Sequence, residues 1–365
     1  MGIFMHDDIY MLWMSSLMPF ISSRKLNMLL EIFGTAKAVF KAKDIGRAVN
    51  LTSKAMSIVS KRRNLQYIEL LLSEMEAKEM AYFSRNNPRY PALLKTITDA
   101  PLGIFCMGTL PADNTHKVAI IGSRKCSEYG LIAARILAEP LAKAGIVIVS
   151  GMARGVDSMA HWGALKHGGK TIAVLGCGAD ICYPSENRTL RHEIMQKGCI
   201  ISEYPPGTKP QPAFFPARNR IISGLSEGVI VAEASKRSGT LITVDQAIEQ
   251  GREVLAVPGN ISSKLSEGTN QLIRDGAHPV SNAEDVLYAL GISPKEIKQN
   301  TTETKSHLAP DEKQVYDSLD FVPKSFDILA ESTNLESGRL HFICTSLEIK
   351  GLIKKLPGSR FVKNP

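Results

Sequence analysis

Four short segments of this chain set arginine or serine among glycines, a combination suited to binding anions. They are Gly122-Ser123-Arg124-Lys125, Ser150-Gly151-Met152-Ala153-Arg154-Gly155-Val156-Asp157, Phe215-Pro216-Ala217-Arg218-Asn219-Arg220 and Lys236-Arg237-Ser238-Gly239-Thr240. Small residues let backbone N–H groups approach an anion, a helix N-terminus adds partial positive charge, and a guanidinium grips two phosphate oxygens at once. One such loop alone reads as a tight turn with a solvated arginine; four at one edge specify a phosphate-binding rim. Its expected ligands are Gly122, Ser123 and Arg124; Ser150, Gly151, Ala153, Arg154 and Gly155; Arg218, Asn219 and Arg220; and Ser238, Gly239 and Thr240. Arg124 and Arg154 are expected to be the principal phosphate contacts, each sitting just before a helix.

Single-stranded nucleic acid is held by phosphate charge together with base stacking. The segment 203–216 carries Tyr204, Phe214 and Phe215 beside the arginine cluster, with Lys209 at its tip. Phe214 and Lys209 therefore join the candidate site, although a phenylalanine just before a helix is more often a core plug. Asp157 is expected to cap its own helix. His161 and His167 are six apart, off the i, i+4 spacing of metal ligands on a helix, so no metal is expected. Nucleotide motifs fail in detail. The first strand runs into Gly-Ser-Arg-Lys-Cys-Ser, which is no dinucleotide fingerprint, and Ala164 stands where a Walker A loop before Lys170 needs glycine. No cofactor is expected.

Such loops need a scaffold that gathers them. From Lys117 short β-branched runs alternate with helical stretches: Val118–Ile121, Ile146–Val149, Thr171–Leu175, Ile200–Ser202, Val229–Val231 and Val254–Val257. Nearly continuous apolar strands between helices predict an α/β domain over 86–290, a doubly wound parallel sheet whose ligand sits beyond the strands' carboxyl ends. Residues 1–85 read as a helical domain, with Ser22 or Ser23 as a cap and Gly34 as a stop. The polar stretch 291–307 reads as a linker. Residues 308–365 predict three helices, Gln314–Leu319, Ser325–Ser332 and Glu336–Ile349, then a hairpin, which is a winged-helix pattern.

A formal charge of +8 favours polyanionic partners or anionic membrane surfaces, but the basic excess is spread along the chain, so any nucleic-acid site must arise from local clustering. The six cysteines form neither a CxxC pair nor a zinc spacing and read as reduced thiols. The apolar stretch Ile9 to Phe20 is about half a membrane span and follows Asp7 and Asp8 instead of a basic flank, so a cytoplasmic protein with no membrane contact is expected.

In this order the loops resemble the DNA-processing protein A (DprA/Smf) family. The likeness runs from Tyr90-Pro91 through Thr171–Gly178, Tyr183-Pro184-Ser185-Glu186-Asn187, Ser202–Gly207, Arg218–Leu225, Gly251–Val254 and Val257-Pro258-Gly259. It implies an extended Rossmann-like domain that binds single-stranded DNA at this pocket, forms a homodimer and loads the RecA recombinase in natural transformation or recombination, without being an enzyme. It also implies a SAM-like helical domain at the N-terminus and a winged helix at the C-terminus. Two departures stand out. Ala217 occupies a position that is often basic in relatives, and from Leu308 acidic and basic residues balance at eight each. A groove-reading helix is normally more basic. A protein contact or a weak duplex DNA contact is therefore expected of the winged helix, with Lys350, Lys354, Lys355, Arg360 and Lys363 as its phosphate contacts.

The rival is an enzyme, because the fold also resembles nucleotide phosphoribohydrolases of the LOG (lysine decarboxylase-like) group. Their glycine-threonine loop, aligned on Gly239-Thr240, is followed by a catalytic glutamate where this chain has Thr243. Without that carboxylate no group is evident to stabilise an oxocarbenium-like transition state or activate water.

Overall fold

A computed structural model describes residues 7–293, 309–319, 323–350 and 352–363. The chain divides into two units, 1–300 and 301–365. Most of the expected linker, 294–307, lies outside the described residues.

The first unit is built on a nine-stranded sheet: β1 Met80–Ser84, β2 Gly103–Gly108, β3 Lys117–Gly122, β4 Val147–Ser150, β5 Thr171–Leu175, β6 Cys199–Ser202, β7 Gly228–Glu233, β8 Glu253–Ala256 and β9 His278–Pro279. The spatial order is β1-β2-β6-β5-β4-β3-β7-β8-β9. From β6 to β9 neighbouring strands are parallel. The parallel part of the sheet starts at β3, winds outward through β4, β5 and β6, then returns to the other side of β3 for β7 and β8. Its switch point is the crevice between the carboxyl ends of β3 and β7, where ligands of such sheets bind.

Helices cover both faces. Phe214–Gly224 and Thr240–Glu249 bury Ile221, Ile222, Val244 and Ala247 on one side; Glu128–Lys143 and Val156–Leu165 bury Leu137, Leu141, Val156 and Ala160 on the other. The parallel strands match the expected runs because buried β-branched residues leave no polar face to disguise them.

Three strands of this sheet escaped the sequence reading: β1, β2 and the two-residue β9. β1 pairs antiparallel with β2, and β2 antiparallel with β6. The sheet thus begins at Met80, inside the segment expected to be the helical domain and ahead of the expected 85/86 boundary. Before it, six helices between Asp8 and Ala77 pack around Leu12, Trp13, Leu26 and Ile68. Ser22, Thr35, Thr52 and Asn64 each accept a backbone N–H at a helix start, and Gly34 closes the second helix at φ +80°. Among the described residues no helix is long and apolar enough to cross a membrane.

The second unit has helices Pro310–Ser318, Phe326–Thr333 and Ser337–Ile349 and a three-stranded sheet with Arg360–Lys363 between Lys324–Ser325 and Ile353–Leu356. Leu329, Leu340, Ile343, Leu347 and Phe361 fill its core. Two of the expected phosphate contacts are already engaged within the unit. Lys350 donates to both Glu312 oxygens at 2.6 Å, and the Lys363 ammonium lies 4.7 Å from the Tyr316 ring centre.

Candidate nucleic-acid interface

A cavity of about 730 Å³ opens at the switch point. The loop after β3 supplies Gly122, Ser123, Arg124 and Lys125; the loop after β4 supplies Ala153; the loop after β7 supplies Ser238, Gly239 and Thr240. Helix Phe214–Gly224 contributes Phe215, Arg218 and Asn219, and Thr243 lies behind Thr240. Four distant stretches of sequence meet here because all enter at the carboxyl edge of one parallel sheet.

The loop after β4 is held from inside. Ser150 is buried and donates to the Ile120 carbonyl at 2.7 Å. Asp157 does not cap its helix as expected. Its carboxylate instead accepts the Gly151 N–H at 3.1 Å and that of Ala153, so these donors are spent on the loop and do not face a ligand. Arg218 lies beneath the same loop, only 3% exposed, donating to the carbonyls of Gly151 and Val174. Burial lowers its pKa to about 10 and raises that of Asp157, while each charge opposes the other's shift. A Cβ on Gly151 would sit 2.5 Å from the Arg218 guanidinium, and Gly155, at φ +76°, would place one 2.5 Å from the Ser123 carbonyl. These glycines permit close backbone packing; they line no ligand surface.

The expected site residues therefore fall into groups. Gly122, Ser123, Arg124, Ala153, Asn219, Ser238, Gly239 and Thr240 surround the opening, with Arg218 as its floor. Ser150, Gly151 and Gly155 shape the loop behind it. Arg154 is exposed beside the mouth, its guanidinium on Glu186. Arg220 is a correction: it points into the protein, where it binds Glu203 at 2.6 Å and Asp99 at 2.7 Å. Phe214 is another, being buried and stacked on Tyr204 at 4.5 Å between ring centres. Lys209 is exposed on its loop but does not line the cavity.

Sequence reasoning passed over Tyr183 as a site residue. It is 43% exposed, lines the cavity and packs on Phe215 at 5.3 Å. Phe215 in turn lies under Arg124, whose guanidinium carbon is 5.3 Å from the ring centre. The available signal was an aromatic in the loop after β5, a strand whose carboxyl end was already expected to face the site. The cavity thus offers two exposed cations, Arg124 and Lys125, an aromatic ledge and hydroxyl-bearing loops. That set suits a polyanion with flat apolar rings.

Among the described residues no His/Cys/Asp/Glu group could hold a metal ion. His161 is buried against Thr171 at 2.6 Å, and burial lowers its pKa to about 3.

Family models agree with this architecture. "DNA recombination-mediator protein A" matches residues 81–291, starting within β1, and "DprA winged helix domain" matches 299–359. DNA processing protein DprA of Streptococcus pneumoniae is 47% identical over 212 residues, 58% of this chain and 75% of that protein. Its crystal structure superposes with a TM-score of 0.65 at 38% identity, covering 79% of this chain and 98% of that one. Protein Smf of Synechocystis is 33% identical over 374 residues, 92% of this chain and 94% of that protein. DNA processing protein A of Helicobacter pylori, whose structure is described for its single-stranded DNA binding mode, aligns at 32% identity with a TM-score of 0.53, covering 60% of this chain and 98% of that one.

Proposed function

Because this chain belongs to the DNA recombination-mediator protein A (DprA/Smf) family, we propose that its recombination-mediator role is carried by the cavity at the β3/β7 switch point, which binds single-stranded DNA. Arg124 and Lys125 take phosphates, Phe215 and Tyr183 lie against bases, and the Ser238–Thr240 loop adds neutral donors. The observation that carries this reading is Arg124 on Phe215 at the mouth: charge and stacking surface sit side by side, as single-strand binding requires. In this reading the chain acts in the cytoplasm as a homodimer through its sheet domain and delivers the strand to RecA.

A binding role, as opposed to a hydrolytic one, is supported by the two residues nearest to a catalytic position. Thr243 stands where the phosphoribohydrolases carry glutamate, and Asp157, the carboxylate lining the cavity, is tied to loop N–H groups and Arg218. Fluorescence anisotropy with a poly-dT oligomer and a matched duplex, alongside an AMP hydrolysis assay, tests the two readings together. Tight poly-dT binding without hydrolysis is expected; AMP cleavage with weak poly-dT binding reverses the assignment.

A further inference from the structure

Arg154, unlike Arg124, already holds an anionic partner. Its Nε and Nη2 donate to Oε1 and Oε2 of Glu186 at 2.5 and 2.6 Å. This is the two-point geometry with which a guanidinium takes two phosphate oxygens. Both side chains remain open to solvent, 63% and 51% exposed.

The carboxylate is brought there by a fastened element. Glu186 lies in the single turn Ser185–Asn187. Asn187 Nδ2 donates at 2.9 Å to both the Met152 carbonyl and Ser158 Oγ, which ties that turn to the loop bearing Arg154. Two residues before the turn, Tyr183 lines the cavity. An exposed ion pair contributes little to fold stability, so stability is a poor account of such deliberate placement. A ligand account fits better, since any phosphate that reaches Arg154 meets a carboxylate of matching shape.

Resting on the DNA-binding reading above, we propose that Glu186 is a resident competitor for Arg154: a phosphodiester of the bound strand displaces it, and its return to Arg154 speeds release of the strand. Two physical effects act in the same direction. Re-pairing removes one phosphate contact, and the freed carboxylate repels the adjacent polyanion. A protein that must surrender its strand gains a short residence time at this contact while Arg124 and Lys125 keep the encounter favourable.

The test is stopped-flow kinetics of the full chain with a fluorescent dT oligomer. The variants are Glu186→Gln, Arg154→Ala and the double substitution, with Glu128→Gln, an exposed acid in the first turn of the helix after β3, as a charge-matched control. Glu186→Gln should slow dissociation about tenfold, the scale of one charge-assisted contact, with a much smaller change in association. The double variant should lose that whole gain. Long-range charge acts mainly on association. An effect confined to association and matched by Glu128→Gln, or slow dissociation that survives in the double variant, overturns the inference while leaving the DNA-binding reading intact. Failure of the unmutated chain to bind the oligomer, or unchanged binding in Arg124→Ala, overturns the DNA-binding reading and the inference with it.

Discussion

The guanidinium carbon of Arg124 lies 5.3 Å from the centre of the Phe215 ring, with both residues lining the cavity. The ring attracts the cation at the mouth without neutralising it, so the charge stays available to a phosphate. A charge-assisted phosphate contact of this kind is worth roughly ten- to a hundredfold in affinity, and Arg124→Ala should weaken poly-dT binding by that factor. The slope of log K against log salt should also fall by about 0.7 for the single-strand phosphate lost. Unchanged affinity and slope in a folded Arg124→Ala variant would remove the cavity from consideration as the DNA site.

Phe215 and Phe214 are adjacent in sequence and opposite in role. Phe215→Ala should reduce poly-dT affinity about five- to a hundredfold, the range for one lost base stack, with little change in melting temperature. Phe214→Ala should cost about 3–5 kcal/mol of stability, because it empties a buried site against Tyr204. Thermal denaturation and anisotropy on both variants separate the two effects.

Arg220 links one buried and one exposed carboxylate. Glu203 is 3% exposed and Asp99 48%, so the two ion pairs differ in consequence. Arg220→Ala leaves Glu203 buried without its cation and should cost about 3–5 kcal/mol. Asp99→Ala should cost about 1 kcal/mol or less. Urea unfolding measures both, and equal losses would contradict this description of the interior.

His161 supplies an acid-sensitive element. Burial holds its folded pKa near 3, against an ordinary value of 6.5, so it is neutral in the fold. Between those values the unfolded chain binds the proton and the folded chain does not. The stability is therefore fully present above about pH 6.5 and is lost as pH falls, at up to about 1.4 kcal/mol per pH unit. His161→Leu should flatten the pH dependence of the urea midpoint between about pH 6 and pH 4. An unchanged slope would show that other groups carry it.

The sequence alone determined the parallel sheet, the helical caps, the winged-helix order and the loops that converge on one edge. These depend on local signals: β-branched runs such as Thr171–Leu175, helix-end residues such as Ser22 and Gly34, and glycine-rich turns after strands. β2 was hidden because its place between β1 and β6 depends on an antiparallel partner far away in the chain; β6 lies nearly a hundred residues on. The tertiary structure alone decided which side chains face the cavity. Residues 214–220 contain two phenylalanines and two arginines, and their roles follow from which face of one helix meets the sheet. Each step along a helix turns a side chain by about 100°, so neighbours of one type enter opposite environments. Tyr204 receives Phe214, the loop after β4 receives Arg218, and Glu203 with Asp99 receive Arg220. The glycine- and arginine-bearing loops made an anion site legible, but only the placement of those distant partners set Arg124 on Phe215 at its mouth and Glu186 against Arg154.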